Sequence, residues 1–218
     1  MYKRSDAGLT IIEVMMIGIV AAIAISLVIP RLRAARIVHN EELALTIVPR
    51  ILAAEASWKG ESGKTLRAED EPSLRFAYLD ELVETSLLDV PEGRLEGGRL
   101  IANGYVFEIV LFEKPQESRV PIERNPTDLV RVDPDRYLLL AWPEVYGQSG
   151  VRFFAADGQA IFHSSNSLHR YEGTGSRAPS GTAPLIEDQS QWLGHGKGQD
   201  DQFWGPMALA EELTSTSE

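Results

Sequence analysis

The sequence predicts an α+β fold in which one long N-terminal helix, with a membrane half and an amphipathic half, packs against a small antiparallel β-sheet. Two observations predict it. A charge-free apolar run at residues 14–29 leads into a helical pattern, and several later segments are rich in β-branched and aromatic residues. The 218 residues suit one domain with an appendage, and a hydrophobic content of 44% is enough for a core.

A short basic leader containing Lys3 and Arg4 precedes the apolar run, which with its flanks approaches the roughly 20 residues that cross a bilayer core. A secretory signal peptide would have a shorter apolar core followed by a small-residue cleavage site. A plain signal anchor does not explain Glu13, because a carboxylate within lipid costs roughly 3 kcal/mol. An interpretation of this segment must therefore give the Glu13 carboxylate a functional role.

The stretch from Gly8 to Glu13, which reads Gly-Leu-Thr-Ile-Ile-Glu, resembles the class III (prepilin-type) signal of type IV pilins and type II secretion pseudopilins. The resemblance implies that a membrane aspartic peptidase cuts after Gly8. Leu9, where most members have Phe, then becomes an N-methylated first residue. Glu13 would pair with the amine of a neighbouring subunit's Leu9 and so add each subunit in register, since opposite charges attract strongly at low dielectric. The alternative is a Glu13 that reaches the headgroups from near the helix end.

The same resemblance implies partners and a location. The partners would be copies of the chain and other pilin-like subunits, the prepilin peptidase and an inner-membrane assembly platform. The chain would lie in the bacterial inner membrane before assembly and in a periplasmic or cell-surface filament afterwards. Lys3 and Arg4 would keep the leader cytoplasmic. Gly18 and Pro30 lie where filament-forming pilins often carry helix breakers, although Pro30 could equally mark a simple kink or the aqueous boundary.

Five segments are expected along the chain: a leader at 1–8, a transmembrane or filament-core helix at 9–30, an amphipathic helix at 31–60, an α+β head at 61–165 and a loop-rich extension at 166–218. We expect Pro49 to kink or restart the helix, and the helix to reach about Trp58 before the polar residues 59–64 end it. A helix half in lipid and half under a head is the lollipop shape of pilins.

The head is predicted to contain a short second helix and several strands. The helix carries its apolar face at residues 79–88, and strands are predicted at 104–112, 137–142, 151–155 and 160–163. Asp157-Gly158 predicts a hairpin between the last two strands. Three or four antiparallel strands with one face on the long helix would make a two-layer domain. The strand beginning Gly104-Tyr105 and the Asp-Gly hairpin also resemble pseudopilin heads.

No residue set predicts a catalytic site, and the chain is expected not to be an enzyme. Asp188, Asp200 and Asp201 could ligate calcium, as a late loop does in the similar major pseudopilin of type II secretion, but a solvated acidic loop is favoured because no dense acidic run is present. No cofactor is otherwise expected. The histidines are interpreted as scattered surface residues rather than ligands: His163, His169 and His195.

The aromatic residues of the C-terminal region, Trp192, Phe203 and Trp204, are expected to pack onto the head, the alternative being an exposed surface for a partner. A net charge of −11 does not favour nucleic acid. No phosphate-binding glycine motif is present. If the chain is a pilin-like subunit, a separate ATPase would therefore supply the energy for filament assembly.

The leading functional expectation is a structural subunit of a type IV pilus-like filament or a type II secretion pseudopilus. The first alternative is a minor tip pilin acting as an adhesin or a DNA-uptake or cargo receptor, which the C-terminal extension favours mildly. A membrane-anchored enzyme is the second alternative.

Overall fold

A computed structural model of the chain describes residues 10–65, 75–91, 93–113, 132–185 and 195–207. Within these ranges a long N-terminal helix and an antiparallel sheet confirm the α+β class. Residues 1–36 and 37–218 form two compact units, which are described separately. The helices are α1 (Ile11–Thr65) and α2 (Leu79–Glu84).

The strands are β1 (Arg94–Glu96), β2 (Arg99–Ala102), β3 (Tyr105–Glu113), β4 (Val132–Pro143), β5 (Phe153–Ala156), β6 (Ile161–Ser164), β7 (Gly196–Lys197) and β8 (Phe203–Pro206). Their order in the sheet is β1-β2-β3-β4-β5-β6-β8-β7, and every neighbouring pair is antiparallel. The four strands predicted from the sequence correspond to β3, β4, β5 and β6. The other four strands of the described sheet were not predicted.

The first unit contains the part of α1 up to Arg36, and every described residue from Thr10 to Arg36 is exposed. The helical backbone continues through Pro30. The one hydroxyl within the apolar run belongs to Ser26, whose Oγ donates a hydrogen bond to the carbonyl of Ile23 at 2.8 Å. Because that bond satisfies the hydroxyl within the helix, Ser26 does not interrupt the apolar surface.

In the second unit α1 presents a buried stripe at spacings of three and four residues, consisting of Ala44, Ile47, Val48, Ile51 and Ala54. The expected restart at Pro49 is wrong, because the helix is continuous there and the proline lies on its exposed side. The helix also continues to Thr65, several residues beyond the end expected near Trp58.

Three hairpins set the register of the sheet. Gly97 and Gly98 join β1 to β2, and Asn103 and Gly104 join β2 to β3, with positive φ at all four residues (59°, 80°, 51° and 75°). Two-residue loops with positive φ at both positions match the twist of the paired strands. The hairpin predicted at Asp157-Gly158 is confirmed between β5 and β6, where the Asp157 carboxylate accepts two backbone N–H bonds.

The central strands of the sheet, β3 to β6, are buried on both faces, whereas the edge strand β1 is exposed. One face packs on α1 and α2 through a cluster that includes Ile51, Leu82 and Tyr105. The other face is covered by C-terminal residues, among them Leu185 and Trp204. The two-layer expectation was therefore incomplete. The strands agree with this arrangement, because residues 137–142 of β4 are all buried and form an unbroken apolar run rather than an alternating one.

The C-terminal region contributes to the sheet as well as covering it. β8 pairs with β6, which places residues of the expected loop-rich extension within the hydrogen-bonded sheet. Trp204 is fully buried and packs edge-on against Phe153, as the favoured packing interpretation expected. The packing expected of Phe203 is wrong, because this side chain lies on the opposite side of the strand and is 61% exposed. Trp192 lies outside the described residues.

Candidate functional site

The start of α1 is closed by two side chains, Thr10 and Glu13. Glu13 Oε2 accepts hydrogen bonds from the Thr10 backbone N–H at 2.7 Å and from Thr10 Oγ1 at 2.9 Å. In return, Thr10 Oγ1 accepts a bond from the Glu13 backbone N–H at 3.3 Å. This reciprocal arrangement is a capping box, which satisfies N–H groups that the first helical turn leaves unpaired. The carboxylate at the head of the apolar run is thereby held close to the helix axis.

The apolar run that follows has no cover within the described residues. The large apolar side chains from Ile11 to Ile29 are exposed by between 44% at Ile29 and 79% at Ile11. The helix is long and apolar enough to cross a membrane by length and composition. At about 1.5 Å per residue, residues 11–29 extend roughly 28 Å, close to the thickness of a bilayer's hydrocarbon core.

Two of the predicted site residues, Gly8 and Leu9, lie outside the described residues. The third, Glu13, is described. Both of its hydrogen bonds to Thr10 use Oε2. The capping box begins at Thr10, so it includes no atom that a cut after Gly8 would remove.

In the head, α1 is tied to the loop between β4 and β5 by a second carboxylate, Glu41, which unlike Glu13 is buried. Glu41 Oε1 accepts the backbone N–H groups of Val151 and Arg152 at 3.0 and 3.2 Å, and Glu41 Oε2 lies 3.5 Å from Arg152 Nε. One residue earlier, Asn40 donates to the Ser149 carbonyl at 2.9 Å. The loop thus depends on two adjacent side chains of α1 for its position.

The same loop passes close to Tyr105, whose hydroxyl donates to the Arg152 carbonyl at 3.1 Å. A Cβ at Gly150 would lie 2.3 Å from that hydroxyl, so only glycine fits there. Burial, and next the Glu41 carboxylate, raise the pKa of Tyr105. The tyrosine therefore stays neutral and acts as a hydrogen-bond donor.

A third carboxylate, Glu55, is completely buried between α1 and the segment before α2. Its Oε2 accepts the Ala77 N–H at 3.1 Å, and its Oε1 has no hydrogen-bond partner among the described residues. Burial raises the pKa of Glu55 to about 8, with a smaller contribution from the Glu81 carboxylate. This group is therefore mostly protonated at neutral pH, which makes it a pH-sensitive part of the head's core.

The carboxylates weighed as calcium ligands are held by protein groups where they are described. Asp200 Oδ1 accepts from the Gln202 backbone N–H and the Trp204 indole, and Oδ2 accepts from the Gln202 side chain. Asp201 pairs with Lys197 at 2.5 Å. Asp188 is outside the described residues. Among the described residues no three His, Asp or Glu side chains are grouped so that they could hold a metal ion.

The three histidines have separate surroundings. His195 contacts the Phe203 ring, and His169 stacks on Tyr171 while its Nε2 lies 2.6 Å from the Asp200 carbonyl. His163 departs from the surface interpretation, since it is half-buried on β6 and its Nδ1 has no hydrogen-bond partner among the described residues. Burial lowers the pKa of His163. The structure does not bring the three rings into one site.

Three polar residues with defined roles were missed by sequence reasoning. Thr10 was identifiable, because Thr-x-x-Glu immediately before an apolar run predicts a capping box. Glu41 and Glu55 were not, because a carboxylate on an amphipathic helix is ordinarily solvated. Only their positions on the buried stripe, in line with Ala44 and Ile51, set them apart.

A scan against protein-family models, a search of curated proteins and a search of solved structures each found no match to this chain. The functional interpretation therefore rests on the chain's own residues: the capped, fully exposed apolar helix and the separate head.

Proposed function

We propose that this chain is a pilin-like structural subunit that is cut after Gly8 and assembled into a type IV pilus-like filament or type II secretion pseudopilus through its apolar N-terminal helix. The observation that carries the proposal is that every described residue from Thr10 to Ile29 is exposed. At the start of this helix a capping box holds the Glu13 side chain. Such a surface requires cover that the described residues do not provide, and lipid or other apolar helices would supply it.

Assembly exchanges one apolar environment for another. Lipid covers the helix before assembly, and neighbouring helices cover it in the filament. Because lipid chains are as apolar as the helix, close packing and polar pairing must supply the preference for neighbours. In this proposal Glu13 supplies the polar pairing, with the Leu9 amine of the next subunit as its partner.

Gly18 supports close packing between helices. A Cβ built at Gly18 meets nothing within 4 Å, so no contact within the described residues requires glycine there. Glycine in a helix interior costs about 1 kcal/mol relative to alanine, but it allows a neighbouring backbone to approach closely. A neighbouring helix in the filament would use that space.

The partners and location follow from the same proposal. They are other subunits of this type, the prepilin peptidase and an inner-membrane assembly platform. The chain would occupy the bacterial inner membrane first and a periplasmic or cell-surface filament afterwards. The C-terminal region does not favour the alternative function as a receptor at the filament tip, because β8 and Trp204 are part of the head's sheet and core.

The deciding experiment is the intact mass and N-terminal peptide mass of the chain in its native membranes. The expected product begins at Leu9 and carries one added methyl group. A Gly8→Ala variant should remain uncut. Gly18→Ala is the matched control, because it makes the same substitution within the helix where a Cβ meets nothing, and it should be processed normally. A chain that still begins at Met1, or one cut beyond residue 29, would contradict the proposal.

A further inference from the structure

Three arginines follow the apolar run within six residues: Arg31, Arg33 and Arg36. All three are exposed, and none forms an ion pair or hydrogen bond with any residue that the structure describes. The neighbouring helical residues offer no carboxylate, since the nearest acidic residues along the chain are Glu13 and Glu41. These guanidinium groups therefore have their full hydrogen-bonding capacity free.

The arginines of the head are different. Each of the eight described beyond residue 36 contacts a carboxylate, a carbonyl or an aromatic ring within the chain. They are Arg50, Arg75, Arg94, Arg99, Arg136, Arg152, Arg170 and Arg177. The lack of partners is thus specific to the segment that borders the apolar run.

The distance along the helix places these arginines at a defined depth. If residues 11–29 cross the hydrocarbon core, Arg31 lies about 3 Å beyond it and Arg36 about 10 Å beyond it. The headgroup layer on one side of a bilayer is roughly 5–8 Å thick. The backbone of Arg31 and Arg33 therefore lies within that layer, and Arg36 lies just beyond it, from where a long arginine side chain reaches back to the phosphates. At about 100° per residue, the three side chains point to more than one side of the helix. That spread suits the headgroups that surround a helix better than it suits one flat protein surface.

We propose that Arg31, Arg33 and Arg36 bind the phosphate groups of anionic lipids where the helix leaves the bilayer, and so fix its depth before assembly. This inference rests on the proposed membrane insertion. A guanidinium donates two parallel hydrogen bonds to a phosphate, which makes arginine well suited to such a site. No described group of the chain competes for these donors.

The distribution of positive charge on the two sides of the apolar run affects how the helix would insert. Three arginines beyond the apolar run outnumber Lys3 and Arg4 before it, and positively charged flanks favour the cytoplasmic side. In the proposed orientation they act against export of the head. Contact with lipid phosphates on the far side of the membrane offsets part of that cost.

The test uses the full chain in vesicles of phosphatidylcholine containing a minority of phosphatidylglycerol. Spin-labelled forms of the two lipids report which lipid is held at the protein surface. Each cation near an anionic surface contributes about a fivefold factor, so the wild-type chain should prefer phosphatidylglycerol by roughly fivefold or more. The triple variant Arg31→Gln, Arg33→Gln, Arg36→Gln should lose most of this preference, with Lys3 and Arg4 at the other end of the run accounting for what remains.

The matched control carries the same charge change in the head, through Arg94→Gln, Arg136→Gln and Arg177→Gln, all exposed arginines. It should keep the wild-type preference. If the triple variant also keeps it, the proposal is overturned. If such a variant also fails to form filaments in cells, the arginines act in contacts between subunits rather than on lipid. Alkaline extraction is measured first, because a wild-type chain that is extracted would refute membrane insertion itself.

Discussion

Two apolar stretches of this chain have opposite environments. Residues 137–142 of β4 are all buried, with α1 and α2 on one face of the sheet and the C-terminal region on the other. Residues 14–29 of α1 are equally free of charge, yet every one of them is exposed. The first stretch completes a core within the chain, and the second has an apolar surface that the described chain leaves uncovered.

The difference teaches that an apolar run alone does not specify where its cover comes from. In the head, hairpins and a C-terminal strand bring the covering residues from the same chain. No comparable element covers the first unit within the described residues. Hydrophobic burial requires only that apolar area be removed from water, and lipid or another helix does this as well as a β-sheet.

The largest expected effect concerns the carboxylates of the two regions. Glu13 is exposed and capped, whereas Glu55 is buried and one of its oxygens has no hydrogen-bond partner among the described residues. The pKa of Glu55 rises from its ordinary 4.5 to about 8, so the folded head favours the protonated acid. The contribution of Glu55 to the head's stability is therefore fully present below pH 4.5 and is lost as the pH rises to about 8. Since each pKa unit corresponds to about 1.4 kcal/mol, the loss reaches on the order of 5 kcal/mol.

The check is denaturant unfolding of the head in wild-type chain and in Glu55→Gln, measured from pH 4.5 to 8.5. The variant should resemble the wild type at the acidic end and become progressively more stable than it toward the alkaline end. The charged groups nearest to Glu55, Arg75 and Glu81, are unchanged in both proteins and serve as an internal reference. A stability difference that does not vary with pH would show that Glu55 does not titrate in this range.

The next effect tests whether the C-terminal region belongs to the head's core. Trp204→Ala removes a fully buried ring that packs on Phe153, and should lower the free energy of unfolding by about 3–5 kcal/mol. Phe203→Ala is the matched control, since the adjacent ring is 61% exposed and its loss should cost less than about 1 kcal/mol. Urea unfolding followed by fluorescence of the remaining tryptophans measures both. Equal losses would mean that Trp204 is not part of the head's core and that β8 does not pack on the head as described.

Sequence reasoning predicted the parts of the molecule that depend on local pattern. The long helix, the strands containing Tyr105 and Phe154 and the Asp157 hairpin follow from periodicity, β-branched and aromatic residues and turn chemistry. The Gly97-Gly98 and Asn103-Gly104 turns carry the same kind of signal and were overlooked. With them, β1 and β2 could have been predicted as well.

The remainder depends on contacts between residues far apart in sequence. Nothing local to Trp204 indicates that it packs on Phe153, about fifty residues earlier in the chain. Nothing local to Glu41 indicates that its carboxylate binds the backbone of Val151. The unbroken apolar run of β4 did carry usable information, because a strand with one solvated face would alternate. It indicated that both faces are covered, but not by which residues.

A direct comparison of the two apolar stretches uses one substitution in each. Leu140→Ala in β4 removes a fully buried side chain and should destabilise the head by about 2–5 kcal/mol. Leu27→Ala removes a side chain that is 64% exposed and should leave unfolding of the head unchanged within about 0.5 kcal/mol. Denaturant titration of detergent-solubilised chain distinguishes them. A large loss for Leu27→Ala would mean that the head contributes to covering the apolar run.

The smallest effect lies at the first turn of the apolar helix. Thr10→Ala removes the hydroxyl that both donates to the Glu13 carboxylate and accepts from its backbone N–H, which should destabilise the helix start by about 1 kcal/mol. Hydrogen exchange of the Glu13 amide, which donates to the hydroxyl, and of the Val14 amide, which donates to the Thr10 carbonyl, should accelerate by about fivefold in micelles. Thr10→Ser keeps the hydroxyl and should exchange at nearly the wild-type rate. Equal exchange in the two variants would show that the hydroxyl does not hold Glu13. The bond from the Thr10 backbone N–H would then be the described bond that the carboxylate gives up if it pairs with a neighbouring subunit, as the proposed assembly requires.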